Sequence, residues 1–156
     1  MNDLPLVDSH LDLAESVTLF GRDLTLGVAE IRALEKRTTK QATVSLPELE
    51  RGGIAVAFAT VTAGFLAEDV GEDFEPRSAI YRTPEEAEAQ ALTQIGLYEG
   101  WEEQGRVRLL RSVNDLDHHL RLWRHDRKPG LVLLMEGADR FFTYVTYLNG
   151  GSAAYA

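Results

Sequence analysis

Residues 54–61 read Ile-Ala-Val-Ala-Phe-Ala-Thr-Val, an almost unbroken apolar run of strand length with β-branched side chains. A strand with one wet face alternates apolar and polar residues. A strand buried on both faces does not, and such strands belong to parallel sheets covered by helices on either side. Residues 131–135, Leu-Val-Leu-Leu-Met, repeat the signal between the turn Pro129-Gly130 and the polar Glu136-Gly137. Shorter apolar runs at residues 4–8 and 107–110 are two further strand candidates.

Helix signals fall between these runs. Thr83, Pro84 and Glu86 combine an N-cap, a proline at the first helical position and the acid of a capping box. The helix they open runs to about Gln104, with Ala91, Ile95 and Tyr98 as its apolar stripe, Leu92 beside it, and Gly105 as its stop. Ser112 and Asp115 cap another, through about His125, whose stripe is Val113, Leu116, Leu120 and Trp123. That stripe leaves His118, His119 and His125 on the solvated side. Shorter helices are expected over residues 29–36 and 46–51, the second closed by Gly52-Gly53. Residues 64–82 are acidic and irregular and read as a long loop. Strands alternating with amphipathic helices indicate an α/β fold with a parallel sheet, either a barrel or an open doubly wound sheet.

Composition narrows the chemistry. The chain has no cysteine, so a transition metal has to be held by His, Asp and Glu. A net charge of −9 disfavours nucleic acid as a partner. No run approaches the roughly 18 apolar residues of a membrane span, and Asp3 and Pro5 stand where a signal peptide has a basic start, so a soluble cytoplasmic protein is expected. There is no Gly-x-Ser-x-Gly elbow, no phosphate-binding glycine loop and no cysteine nucleophile. The acidic residues Glu68, Asp69, Glu72, Asp73 and Glu75 lack the ligand register of a calcium loop and read as a solvated loop. Residues 141–156 carry no charged side chain. Their aromatic, β-branched first half is an aggregation hazard unless covered, which divides the chain into a domain over residues 1–140 and a tail over 141–156.

His10 and Asp12 leave the end of the first strand one residue apart, where alternate side chains point the same way, and an imidazole and a carboxylate suit Zn²⁺. The same pair also describes a capped strand end with a surface histidine. Glu136 ends another strand, and alone it reads equally as a surface cap. All three share the C-terminal rim of the strands, where parallel α/β barrels place their active sites.

Several segments together, Asp8-Ser9-His10-Leu11-Asp12, Leu46-Pro47-Glu48-Leu49-Glu50-Arg51-Gly52-Gly53-Ile54, the Thr83 helix and Leu133-Leu134-Met135-Glu136-Gly137, resemble the N-terminal half of the renal (membrane) dipeptidase family of zinc metallopeptidases. The resemblance covers residues 4–140 in order and spacing. It implies a metal-dependent hydrolase of the TIM-like (β/α)8 barrel type, here an incomplete N-terminal half with about four βα units. It also implies two Zn²⁺ ions, with His10 and Asp12 ligating one and Glu136 bridging both as the catalytic carboxylate. A bridging hydroxide would attack the peptide bond of a dipeptide substrate. Related hydrolases carry His-x-His on the first strand, and Leu11-Asp12 argues against them. Two further histidines and an acid/base aspartate are expected from later strands, and these residues do not supply them. Past Arg140 the family pattern calls for a helix and a Gly-x-Arg strand, where this chain reads Phe-Phe-Thr-Tyr-Val-Thr-Tyr. Two other readings are a non-catalytic half-barrel, whose open edges pair with a partner or a second copy, and a metal-free α/β binding module.

Overall fold

The computed structural model describes residues 4–35, 40–63, 65–66 and 80–136. In chain order the elements are β1 (Leu6–Leu11), α1 (Leu13–Phe20), α2 (Val28–Leu34), α3 (Leu46–Gly52), β2 (Ile54–Thr62), β3 (Phe65–Leu66), β4 (Ile80–Tyr81), α4 (Pro84–Glu103), β5 (Arg108–Leu109), α5 (Val113–Asp126) and β6 (Gly130–Glu136). The main sheet is parallel throughout, in the order β1-β2-β6-β5.

The apolar run of residues 54–61 forms β2, an interior strand flanked by β1 and β6. Successive side chains of a strand point to opposite faces, so this one strand feeds two cores. Ala57, Ala59 and Val61 pack with Leu13, Leu24, Leu46 and Tyr98, drawn from α1, α3, α4 and the connecting chain. Val56 packs with Leu110, Val132 and Trp123 on the α5 side. α3 reaches β2 through Gly53, whose φ of 71° is a left-handed conformation that a side chain would strain.

Strand order does not follow chain order. β6 lies directly against β2, from Val56 opposite Gly130 to Thr62 opposite Glu136, and β5 flanks it outside, meeting only Gly130 and Leu131. The long apolar β6 can be buried on both faces, whereas β5 is two residues long and suits an edge. Among the described residues the sheet is open, not a closed barrel. The long loop expected over residues 64–82 contains β3 and β4, which pair in parallel as a second, small sheet. Two-residue strands leave no periodic pattern to read. Glu68, Asp69, Glu72, Asp73, Glu75 and the tail over residues 141–156 lie outside the described residues.

α4 begins as its caps require, with the Thr83 hydroxyl accepting from the Glu86 amide at 3.3 Å. Its buried face includes Ala91, Ile95 and Tyr98, but also Gln94, while Leu92 is exposed. Gln94 is buried because its amide acts as a strand partner for the end of β2. Its Nε2 donates to Thr62 O at 2.7 Å and its Oε1 accepts from Thr62 N at 3.0 Å.

α5 corrects the sequence reading most sharply. Its cap is as expected, Asp115 N donating to Ser112 Oγ at 3.1 Å. Val113, however, is exposed, and His119, assigned to the solvated side, is fully buried beside Trp123. His119 lies three residues after Leu116 and four before Trp123, inside the stripe, so geometry overrides its polar character. Its Nε2 donates to Ala55 O at 2.8 Å. A Cβ on Gly130 would come within 2.7 Å of that nitrogen, so a larger residue there would force His119 or Leu110 to shift. His118 and His125 are exposed, as expected.

Burial holds the His119 pKa below its ordinary value, with the positive charge of Arg108 adding to the effect and the Ala55 hydrogen bond opposing it. The folded state therefore keeps the imidazole neutral, while the unfolded chain takes up a proton near pH ~6.5. Stability from this site is fully present above that pH and is lost as pH falls through the depressed folded value. The midpoint of urea unfolding should drop between pH 7.5 and pH 5, and by less in His119→Gln. Equal losses in both proteins would assign the pH dependence to other groups.

Candidate metal centre

The site begins with an irregularity in β1. Asp8 pairs with Ala57 and Leu11 with Ala59, so three steps on β1 match two on β2, and the extra residue falls in the stretch containing Ser9 and His10. Such a bulge re-aims side chains where a strand runs out. The Asp8 carboxylate turns back to accept from His10 N at 3.0 Å. Simple alternation along a strand therefore does not explain the pairing of His10 with Asp12, because β1 ends at Leu11 and Asp12 is the N-cap residue of α1.

As an N-cap, Asp12 would ordinarily bond the helix's first amides, but its side chain makes no capping hydrogen bond. Instead its Oδ1 accepts from the Thr60 hydroxyl at 2.6 Å and lies 3.2 Å from His10 Nε2. Glu136, the last residue of β6, brings its Oε1 within 3.2 Å of the same His10 nitrogen. The end of β1, the start of α1 and the end of β6 thus deliver one imidazole and two carboxylates. Their ligand atoms all lie within 4.8 Å of one another. His10 and Asp12 are exposed and Glu136 half-buried, so solvent reaches the cluster. Among the described residues no other group of this kind is formed.

Sequence reasoning missed Glu15, on the first turn of α1. Its carboxyl is pushed above the usual carboxylate range, chiefly by burial and further by the negative charges of Asp12 and Glu136. Asp12 with Glu15 three residues later is itself a helix-start signal, and Gly21, left-handed at φ 65°, closes α1. Two carboxylates beside one histidine give the site a negative character that a cation would offset.

Tyr98 ties the surrounding backbone together. Its hydroxyl accepts from Ala14 N at 3.1 Å and donates to Thr60 O at 2.7 Å, joining α1 to β2 on either side of Asp12. Burial pushes this phenol well above its ordinary pKa, the Asp12 charge adding to the effect, so it stays protonated and keeps donating.

The donor set fits a divalent metal ion. One imidazole nitrogen and two carboxylates, with no thiolate in the chain, are borderline-to-hard ligands, and three protein ligands leave a coordination position open.

No family model matches the sequence, and no curated protein matches it. Solved structures do match the fold. One is a dipeptidase described as a metallopeptidase of family M19, 21% identical, with a TM-score of 0.54 over 89% of this chain. Another is a metallopeptidase from Rhodobacter sphaeroides, liganded with a phosphinate mimic of the dipeptide L-Ala-D-Ala, 19% identical, with a TM-score of 0.54 over the same share. The chain spans 38% and 40% of the lengths of these two proteins. It therefore resembles the dipeptidase metallopeptidases in fold, over about two fifths of their length. Among the described residues no helix is long and apolar enough to cross a membrane.

Proposed function

We propose that this chain carries part of a zinc-dependent dipeptidase centre, acting in the cytoplasm on the peptide bond of dipeptides. His10, Asp12 and Glu136 would hold the metal, with Glu136 as the catalytic carboxylate. The observation that carries the reading is the convergence of these three side chains, remote in sequence, at the strand ends of a fold shared with metallo-dipeptidases. When bound there, zinc lowers the pKa of water and polarises a carbonyl oxygen. The chain's own groups supply the rest. Asp12 and Glu136 set the negative charge that retains a cation, and Thr60 and Tyr98 fix the segment bearing Asp12. Glu15 lies near the site, its carboxyl raised from its ordinary value chiefly by burial.

Metal content after dialysis against Zn²⁺, with hydrolysis of a dipeptide panel, tests the reading. At least one ion per chain is expected. His10→Ala should weaken binding by more than the roughly 100-fold that marks the upper end for losing an outer-shell partner. Metal without turnover favours the non-catalytic half-barrel, which the place of β1 at the sheet edge among the described residues, with Leu6 and Val7 exposed, also suits. Neither metal nor turnover sinks the proposal in favour of a metal-free module.

A further inference from the structure

We infer that Thr60 is a positioning residue for the metal centre, holding the Asp12 carboxylate in its ligating orientation; the inference rests on the metal reading of that site. Asp12 stands just past the end of β1, at a helix start where its natural partners are the α1 amides, and it bonds none of them. An aspartate left to itself there would swing to the helix terminus, which both hydrogen bonding and the helix dipole favour. The Thr60 hydroxyl prevents this. It is 2.6 Å from Asp12 Oδ1, against 3.4 Å from Leu11 O, so its single proton goes to the carboxylate.

Thr60 is well placed for the task because it cannot move. It is fully buried on interior strand β2, its β-branched side chain has little rotamer freedom, and Tyr98 holds its carbonyl. Tyr98 also takes the Ala14 amide, one of the α1 amides that Asp12 would otherwise approach. The hydroxyl occupies one acceptor site on Oδ1 and leaves the carboxylate's remaining lone pairs for a cation beside His10 Nε2, 3.2 Å away. An ordinary buried threonine would satisfy itself on backbone; this one spends its proton on a half-exposed acid 48 residues earlier in the chain.

Thr60→Val removes the hydroxyl and keeps the shape, while Thr60→Ser keeps the hydroxyl. Zn²⁺ affinity should fall by about 10- to 100-fold in Thr60→Val and stay within about threefold of wild type in Thr60→Ser, the range typical of outer-shell partners. The visible absorption of the Co²⁺-loaded protein should change in the valine variant alone, a signature that simple loss of stability does not produce. On metal-free protein, side-chain couplings should show one Asp12 rotamer in wild type and Thr60→Ser and averaging in Thr60→Val. Wild-type affinity, spectrum and a single rotamer in a folded Thr60→Val would overturn the inference. If wild type binds no metal but Asp12 still loses its rotamer in Thr60→Val, the metal reading fails and the positioning of Asp12 by Thr60 stands.

Discussion

Arg22→Ala is expected to destabilise the fold by about 3–5 kcal/mol, because it takes the guanidinium away from a buried carboxylate. Arg22 and Glu35 are nearly inaccessible, with side-chain exposures of 7% and 8%, and their ion pair is 2.7 Å long. Every guanidinium nitrogen is engaged: Nε donates to Glu35, one terminal nitrogen to Ser16 Oγ at 2.9 Å, and the other to Lys40 O. The group also lies 4.5 Å from the centroid of the Phe20 ring. Glu35 in turn accepts from Ala42 N at 3.0 Å. This one side chain therefore fastens α1 to the segments on either side of residues 36–39. Lysine cannot replace it, since a single ammonium does not reproduce the planar fork. Replacing both partners together, Arg22→Met with Glu35→Leu, should cost far less than Arg22→Ala, because no charge is then left buried. Urea unfolding checks both. A loss below about 1 kcal/mol for Arg22→Ala would mean that Glu35 finds solvent or another donor.

Trp123→Ala should cost a similar amount, about 3–5 kcal/mol, for a different reason. Among the described residues Trp123 is the largest fully buried side chain, and it shares the core on its side of the sheet with Ala55, Val56 and Leu110, against which Leu116, Leu120 and Val132 pack. Arg127 also stacks over the ring at 4.4 Å as it turns the chain out of α5. Trp123→Phe should cost much less, since the indole Nε1 has no acceptor among the described residues and its loss breaks no hydrogen bond. Comparable losses for Ala and Phe would show that the nitrogen has a partner after all.

The sequence by itself determined the elements whose signals are local. The unbroken apolar runs predicted β2 and β6, and the side chains of Thr83 and Ser112 cap α4 and α5 as read. His10, Asp12 and Glu136 were identified as candidates because each follows an apolar run, and a strand end is visible in the linear pattern. The likeness in fold to dipeptidase metallopeptidases agrees with the motifs that first suggested it.

Only the tertiary structure decided where polar groups spend their bonds. It put β6 rather than β5 against β2, since pairing depends on which strand can be buried on both faces and not on chain order. It buried His119, which had read as solvated, and also Gln94, because backbone groups of β2 are there to meet them. It revealed α1, a helix whose N-cap residue caps nothing, and with it Glu15. It also carried Asp12 off the strand, onto the hydroxyl of Thr60 and beside His10 and Glu136. Propensity and periodicity act within a few residues, whereas a hydrogen bond between residues 48 apart exists only once the chain has brought them together.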